Sequence, residues 1–265
     1  MTVEPTRRLA VLIDADNTSP RIASALFAEV AKIGEASVRR IYGDFSGTRL
    51  KAWADILSRH GLIPHQQFAY TKGKNASDIA LVIDAMDLLH SGRFDGFCLV
   101  SSDSDFTRLA ARIREQGADV FGFGEKKTPE SFVQACRRFI YTENLLAPVG
   151  SDPDDDPGED ADGSSDRPAV EPPEVALAIL DRIVADLDQD DGWVFLSNVG
   201  NRLANLAPDF DPRTYGHKRL GDLVKATGAF DIAAVNGRGT RIRRKVAKER
   251  TRSSKRKRDP ASGTT

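Results

Sequence analysis

Five short apolar segments, each followed by a stretch with helical periodicity, constrain the fold of residues 8–146 more than any other feature. The first segment, residues 9–13, is apolar at every position, which is typical of a strand buried on both faces of a sheet. Alternating strands and helices favour a parallel sheet with helices on both faces. We therefore predict a doubly wound α/β domain of about five strands. The predicted strands cover residues 9–13, 37–45, 62–68, 94–102 and 118–123, and the predicted helices cover residues 20–33, 48–60, 78–90, 105–116 and 129–146.

The second half of the chain is organised differently. Residues 151–166 are rich in Asp, Glu, Gly and Pro, which is typical of a flexible linker that buries no core. Three helical patterns follow, and then two strand-like segments around Asn236-Gly237, a strong hairpin signal. This succession indicates a small winged-helix module. We therefore divide the chain into an α/β domain (residues 1–148), an acidic linker (149–170), a winged-helix domain (171–246) and a basic disordered tail (247–265).

The charge of the chain is segregated rather than balanced along its length. The net charge of −1 hides the acidic linker and a basic stretch at residues 238–258, which suggests an anionic partner for the tail. No apolar run approaches the roughly 18 residues that span a bilayer, and the N-terminus lacks an apolar signal segment. We therefore predict a cytoplasmic protein without a membrane partner. The two cysteines, Cys98 and Cys136, lie in apolar patterns and are predicted to be reduced core residues.

Acidic residues are concentrated at one predicted edge of the sheet. Asp14 follows the first strand, Asp103 and Asp105 follow the fourth, and Asp78 begins the helix after the third. Sites in doubly wound sheets form at this edge, so the four carboxylates converge if the first and fourth strands are neighbours. Clustered carboxylates repel one another, and a hard divalent cation relieves the repulsion. Oxygen-only ligands favour Mg²⁺ or Mn²⁺ over zinc, and such an ion can activate water for phosphoryl displacement.

Each of these residues also has a simpler interpretation. Asp78 and Asp105 could cap their helices, and Asp16 could be a turn residue. Lys72 and Lys74, in the polar loop before Asp78, are predicted to hold backbone phosphates, although loop lysines are usually solvated. The coincidence of the acidic residues on one edge favours the site over these separate explanations.

The motifs around these residues resemble the signature of the NYN family, a PIN-like nuclease family. The resemblance covers about 140 residues and implies a metal-dependent ribonuclease with a PIN-like fold. It implies that Asp14 and Asp103 are the principal metal ligands and that Asp78 and Asp105 complete the site. It also implies that Asn17 orients Asp14 or contacts substrate. The matching stretches are Leu12-Ile-Asp-Ala-Asp-Asn17, Tyr42-Gly-Asp44, Lys72-Gly-Lys-Asn-Ala-Ser-Asp78 and Val100-Ser-Ser-Asp-Ser-Asp-Phe106.

Residues 171–245 resemble a LOTUS domain, also called OST-HTH, a winged-helix module found beside nuclease domains and linked with RNA binding. The resemblance places four residues near the start of the third helix, where they could meet nucleic acid: Tyr215, His217, Lys218 and Arg219. Two alternatives stay open. Tyr215 and Trp193 could be core aromatics, and the module could bind protein instead of RNA. The matching stretches are Gly192-Trp-Val-Phe-Leu-Ser197, Asp209-Phe-Asp-Pro-Arg-Thr-Tyr-Gly216 and Leu220-Gly-Asp-Leu223.

These observations predict a metal-dependent ribonuclease, acting endonucleolytically on single-stranded or structured RNA, with an accessory RNA-binding domain. Two alternatives stay open. The first is a non-catalytic RNA-binding adaptor. The second is a phosphatase of the haloacid-dehalogenase type, since Asp14-Ala-Asp-Asn-Thr18 fits Asp-x-Asp-x-Thr, with Asp14 as nucleophile and Asp16 as acid/base. The later residues of that family's pattern, Ser46 and Lys74, match only loosely, and no cap insertion is evident.

Overall fold

The computed structural model describes residues 6–67, 76–146, 170–188, 192–235 and 239–245. Several predictions fall outside these ranges: those on Lys72 and Lys74, on the acidic linker, on the Asn236-Gly237 turn and on the basic tail. None of the helices within the ranges is long and apolar enough to cross a membrane.

The described part of the N-terminal domain is built on a six-stranded parallel sheet in the order β3-β2-β1-β4-β5-β6. The chain proceeds outward from β1 to β3 on one side and from β4 to β6 on the other, so the strand order switches between β1 and β4. The predicted parallel α/β sheet is therefore confirmed, with its first and fourth strands adjacent. The strands are β1 (Arg8–Asp14), β2 (Glu35–Gly43), β3 (Ile63–Gln66), β4 (Gly96–Val100), β5 (Asp119–Gly124) and β6 (Arg138–Tyr141).

Helices cover both faces of this sheet. Leu9, Val11 and Ile13 of β1 pack on one face and Ala10 and Leu12 on the other, which explains the uniformly apolar first strand. The two cysteines lie buried and unpaired, one in each of these cores. The helices are α1 (Ala23–Ile33), α2 (Lys51–Ala54), α3 (Leu57–His60), α4 (Ala76–His90), α5 (Thr107–Glu115), α6 (Glu130–Ala135) and α7 (Thr142–Leu146).

The prediction of one continuous helix at residues 129–146 is wrong, because this segment contains β6 between α6 and α7. Phe139 and Ile140 are buried in β6, and Gly122 of β5 leaves the space that the Phe139 ring fills. Aromatic and β-branched side chains suit such a half-buried pleated surface. The predicted helix at residues 48–60 is likewise divided into α2 and α3.

In its described residues, the C-terminal domain has three α-helices and a three-stranded antiparallel sheet in the order β7-β9-β8. It has its own core, to which Leu180, Leu203, Leu223 and Ile242 contribute, and it agrees with the predicted winged-helix architecture. The two-residue strand β7 was not predicted, and the third helix begins at Leu220 rather than near residue 215. The elements are α8 (Leu177–Leu187), β7 (Val194–Phe195), α9 (Leu196–Leu206), α10 (Leu220–Ala226), β8 (Phe230–Val235) and β9 (Gly239–Arg244).

The two domains are in contact along β6. The backbone N–H of Phe139 donates a hydrogen bond to the carbonyl of Pro208, at 2.8 Å. The hydroxyl of Tyr141 donates to the carboxylate of Asp209, also at 2.8 Å. The C-terminal domain thus packs beside the last strand of the N-terminal sheet.

Candidate active site at the carboxyl edge of the sheet

The ends of β1 and β4 are joined by a serine between two aspartates. Asp14 is the last residue of β1 and is only 1% exposed, and Ser101 directly follows β4. The Ser101 hydroxyl donates to Oδ2 of Asp14 at 2.7 Å and accepts the backbone N–H of Asp103 at 3.1 Å. Ser101 therefore couples the positions of the two aspartates across the point where the strand order switches.

The carboxylate of Asp14 is held by hydrogen bonds on both oxygens. The side-chain amide of Asn17 donates to Oδ2 at 2.8 Å, and the backbone N–H groups of Asp16 and Asn17 donate to Oδ1 at 3.1 and 3.3 Å. Burial raises the pKa of Asp14, although these hydrogen bonds and that from Ser101 oppose the shift. Asn17 thus lies where it can orient Asp14, one of the two roles that the family resemblance implies for it.

Asp78 lies in the first turn of α4, facing the same edge of the sheet. Its pKa is raised to about 6, first by burial and then by the negative charges of nearby carboxylates. The residues that contribute these charges are Asp14, Asp103, Asp16 and Asp105. The predicted carboxylates therefore share one electrostatic neighbourhood, and its negative charge is incompletely neutralised.

Asp103 directly precedes, and Asp105 lies within, a short 3-10 turn, Ser104–Phe106, that leads into α5. Asp103 caps this turn by accepting the backbone N–H of Asp105 at 2.9 Å. The carboxylate of Asp105 is exposed and is not the cap of α5, which begins without a side-chain cap. The capping role considered for Asp105 thus belongs to Asp103.

Three further residues lie at the site but were not among the predicted metal ligands or nucleic-acid contacts: Asp16, Arg49 and Ser77. Asp16 accepts the Arg49 guanidinium on one oxygen and the Ser77 hydroxyl, at 3.0 Å, on the other. Ser77 lies inside the first turn of α4 and donates its hydrogen bond to Asp16 across the site. The Arg49 side chain is 70% exposed and brings a positive charge to the outer rim of the site. No local motif marks Arg49, since it is 33 residues from Asp16.

An open cleft of about 580 Å³ lies beside these carboxylates. Its lining is predominantly polar and includes Lys127, which pairs with Glu125 at 2.7 Å. Asp16, Asn17 and Asp103 all border the cleft, so a ligand bound there can reach the end of β1 and the turn after β4.

The carboxylate oxygens at this edge are suitable ligands for a hard divalent cation, but in the described residues their present spacing is too wide to hold one. Within the described ranges, no three Asp, Glu, His or Cys side chains lie close enough together to hold a metal ion as they stand. The ligands available at the edge are carboxylate oxygens, which Mg²⁺ and Mn²⁺ prefer. The pKa of Asp78 is raised first by burial and then by repulsion from neighbouring carboxylates, and such an ion would relieve the repulsion.

The residues predicted to contact nucleic acid in the C-terminal domain differ in their surroundings. The Tyr215 ring packs against the core and lies 5.7 Å from that of Phe210, so the core interpretation describes it better. Burial first, and then nearby carboxylates, raise the pKa of Tyr215. His217 is partly buried, whereas Lys218 and Arg219 are exposed just before α10. Of the four predicted residues, Lys218 and Arg219 are therefore the two that are exposed.

Residues 8–146 match the family model of the NYN domain, and residues 172–242 match that of the OST-HTH/LOTUS domain. The first is a nuclease-like family, and the second is an RNA-binding domain. Among solved structures, the chain is similar to a protein of unknown function from Vibrio parahaemolyticus, with 18% identity and a TM-score of 0.45. That match covers 52% of this chain and 94% of the other, and it carries no functional argument. No curated protein sequence matches the chain.

Proposed function

Because the chain belongs to the NYN domain family, we propose that it is a metal-dependent endoribonuclease whose OST-HTH domain helps to bind the RNA. The observation that carries this proposal is the gathering of Asp14, Asp78 and Asp103 where the strand order switches, with the pKa of Asp78 raised to about 6. Carboxylates that repel one another beside an open cleft cost free energy, and perturbed groups of this kind cluster at functional sites. A bound cation would offset this cost, which explains why the carboxylates are grouped together.

The roles follow from the positions of the side chains. Four carboxylates would hold Mg²⁺ or Mn²⁺, those of Asp14, Asp78, Asp103 and Asp105. When bound, such an ion supplies Lewis acidity and lowers the pKa of a coordinated water. Asn17 and Ser101 fix the carboxylate of Asp14 in one orientation, and Ser101 also fixes the backbone of Asp103. These two residues therefore act by positioning the ligands.

Arg49 is assigned to the substrate. Its guanidinium is held at the rim by Asp16, whose other oxygen is bonded to Ser77. A phosphodiester that enters the cleft brings negative charge, and a planar guanidinium binds phosphate oxygens in a defined orientation. Asp16 and Ser77 accordingly position Arg49 for the phosphate next to the scissile bond.

The test is cleavage of single-stranded RNA labelled internally and blocked at both ends. The wild type and Asp103→Asn are compared in Mn²⁺, Mg²⁺ and EDTA, beside DNA of the same sequence and a small phosphomonoester. We expect internal cleavage of RNA that needs metal and is lost in the variant. Asp87→Asn, at an exposed position of α4, is the matched control because it removes the same charge.

Cleavage that persists in EDTA, or that is unchanged in Asp103→Asn, would contradict the proposal. Hydrolysis of the phosphomonoester alone, lost in Asp16→Asn, would instead support the haloacid-dehalogenase-type phosphatase. The assay therefore distinguishes Asp14 as a metal ligand of a nuclease from Asp14 as the nucleophile of a phosphatase.

A non-catalytic RNA-binding adaptor is the second candidate. It is favoured by the spacing of the described acidic side chains, of which no three lie close enough to hold a metal ion as they stand. This candidate predicts RNA binding that survives both EDTA and Asp103→Asn, without cleavage in any metal.

A further inference from the structure

One face of the C-terminal sheet carries two aromatic rings, each covered by an arginine. Phe195 of β7 pairs in register with Arg241 of β9, and Trp193 therefore lies beside Arg243, two residues along. We call these four residues the arginine–aromatic face. The guanidinium carbon of Arg243 lies 4.7 Å from the centre of the Trp193 ring, and that of Arg241 lies 4.8 Å from the centre of the Phe195 ring. Both distances are within the range of cation–π contact.

This face lies opposite the helices. The alternate residues of the same strands, Val194 and Ile242, are buried in the domain core together with residues of α9 and α10. Trp193 is only partly buried and is not a member of that core, contrary to its interpretation as a core aromatic. The ring is instead retained at the surface, beneath a cation.

The Arg243 side chain is held in place on three sides. Its guanidinium lies over Trp193 and pairs with the Asp231 carboxylate of β8 at 3.2 Å. Its aliphatic part crosses Gly192, where a β-carbon would come within 3.0 Å of the arginine side chain. Gly192 also has a positive φ of 73°, which favours glycine. An arginine restrained in this way loses little conformational freedom when it binds a ligand.

The chemistry of this face suits one class of ligand. A guanidinium stacked on a ring presents a flat cationic surface on which an unpaired base can stack and to which phosphates are attracted. Lys245, exposed just after the end of β9, adds a positive charge at the end of this strand, whereas Arg244 lies on its other side and pairs with Asp181 of α8 at 3.1 Å. Bases in a duplex are stacked on their neighbours and cannot offer their faces in this way. The complementary ligand is therefore a single strand of nucleic acid.

We propose that the arginine–aromatic face binds single-stranded RNA by base stacking and phosphate contacts. The proposal rests on the proposed function, which supplies RNA as the substrate. It adds a second binding surface, distinct from residues 217–219 before α10. On this view the C-terminal domain holds the unpaired segment of the RNA with its sheet.

The test is binding of a fluorescein-labelled 12-nucleotide oligo(U) to the full chain in EDTA, which prevents metal-dependent cleavage. We expect Arg241→Gln/Arg243→Gln to weaken binding about tenfold, the size of effect known for single stacking positions. Arg241→Lys/Arg243→Lys keeps the charge but loses the planar group, and should still weaken binding about threefold. The matched control is Arg202→Gln/Lys225→Gln, which removes the same charge from α9 and α10 and should stay within about twofold of wild type.

Tryptophan fluorescence gives an independent readout. The chain has two tryptophans, and Trp53 is buried in the other domain. Stacking of bases at the face should quench the emission of Trp193, and Trp193→Phe should abolish this quenching while circular dichroism shows the fold intact. A duplex of the same length should bind more weakly and quench less.

The outcomes separate this inference from the proposed nuclease. Equal affinities of the glutamine variant and its control, a preference for the duplex, or no binding of RNA in EDTA would each overturn the inference. If these binding variants also cleave RNA in Mn²⁺ as wild type does, the proposed nuclease is supported and the inference about the face is overturned. If RNA binding is lost in the Arg241 and Arg243 variants but no protein cleaves RNA in any metal, the inference is supported and the proposed nuclease activity is contradicted.

Discussion

Glu29 and Arg213 are 184 residues apart in the sequence, and their side chains meet at 3.1 Å across the contact between the two domains. The Glu29 side chain is 4% exposed and that of Arg213 is 16% exposed. Arg213 also pairs with Asp211 at 2.6 Å, and Lys32 donates to Glu29 at 2.8 Å. Burial would raise the pKa of Glu29, but the hydrogen bond from Lys32 and the charges of Arg213, Lys32 and Arg138 outweigh it and lower the pKa.

Arg213→Ala should destabilise the protein by about 3 kcal/mol, because it leaves the buried Glu29 with less compensating charge. A carboxyl with a lowered pKa stabilises the fold above its unfolded value and loses that contribution as pH falls through its folded value. The difference between wild type and variant should therefore shrink below about pH 4.5. Denaturant unfolding followed over a pH series measures both effects. Arg112→Ala, at an exposed position of α5, should change the stability by less than about 0.5 kcal/mol, and an equal loss there would contradict the argument.

The pKa of Asp78 predicts how pH affects the metal-free protein. A carboxyl whose folded pKa is raised contributes stability below its unfolded value near 3.8 and loses it as pH rises through about 6. In EDTA, the melting temperature of wild type relative to Asp78→Asn should therefore fall between about pH 4 and pH 7. At pH 7, Mn²⁺ should raise the melting temperature of wild type more than that of the variant. Parallel curves for the two proteins would show that the pKa of Asp78 is not raised in the folded protein.

Arg49→Ala should reduce RNA cleavage by about tenfold to a hundredfold, because the substrate phosphate loses its cation. Arg49→Lys should recover only part of the activity, since it restores the charge without the planar group. The shift of melting temperature on adding Mn²⁺ should be unchanged, because Arg49 is not a ligand. Arg59→Ala, exposed on α3, provides the control. Loss of metal binding in Arg49→Ala would assign the arginine to the carboxylates rather than to the RNA.

Ser101→Ala tests the link between the two strand ends. The variant removes a donor to Asp14 and an acceptor for the backbone N–H of Asp103, in a buried position. We expect a loss of about 1–2 kcal/mol in the free energy of unfolding. We also expect an about tenfold loss in the rate of cleavage, which is the lower end of the range for residues that support metal ligands. Thermal unfolding and initial rates of cleavage measure the two losses. Ser58→Ala, at an exposed position of α3, should leave both unchanged, and wild-type cleavage by Ser101→Ala would refute a positioning role.

The sequence predicted those parts of the fold and site that depend on local patterns. The apolar run at residues 9–13 of β1 and the acidic residues that end β1 and follow β4 are recognisable within a few positions of sequence, and together they imply the edge where the carboxylates meet. The contact of Arg49 with Asp16 and that of Arg213 with Glu29 join distant segments, and no periodicity marks them. Strand β6 was missed for a similar reason, since its position depends on the space above Gly122 in another strand.

The hydrogen bond from Phe139 to Pro208 bears on how the N-terminal domain behaves alone. Strand β6 is the last of its sheet, and an open strand edge invites pairing with other chains and hence aggregation. In the intact chain, the backbone of the second domain occupies part of that edge. A fragment that ends at residue 146 would expose it, and should form larger assemblies at concentrations where the full chain does not. The C-terminal domain would then keep the N-terminal domain from aggregating, apart from any role in binding RNA.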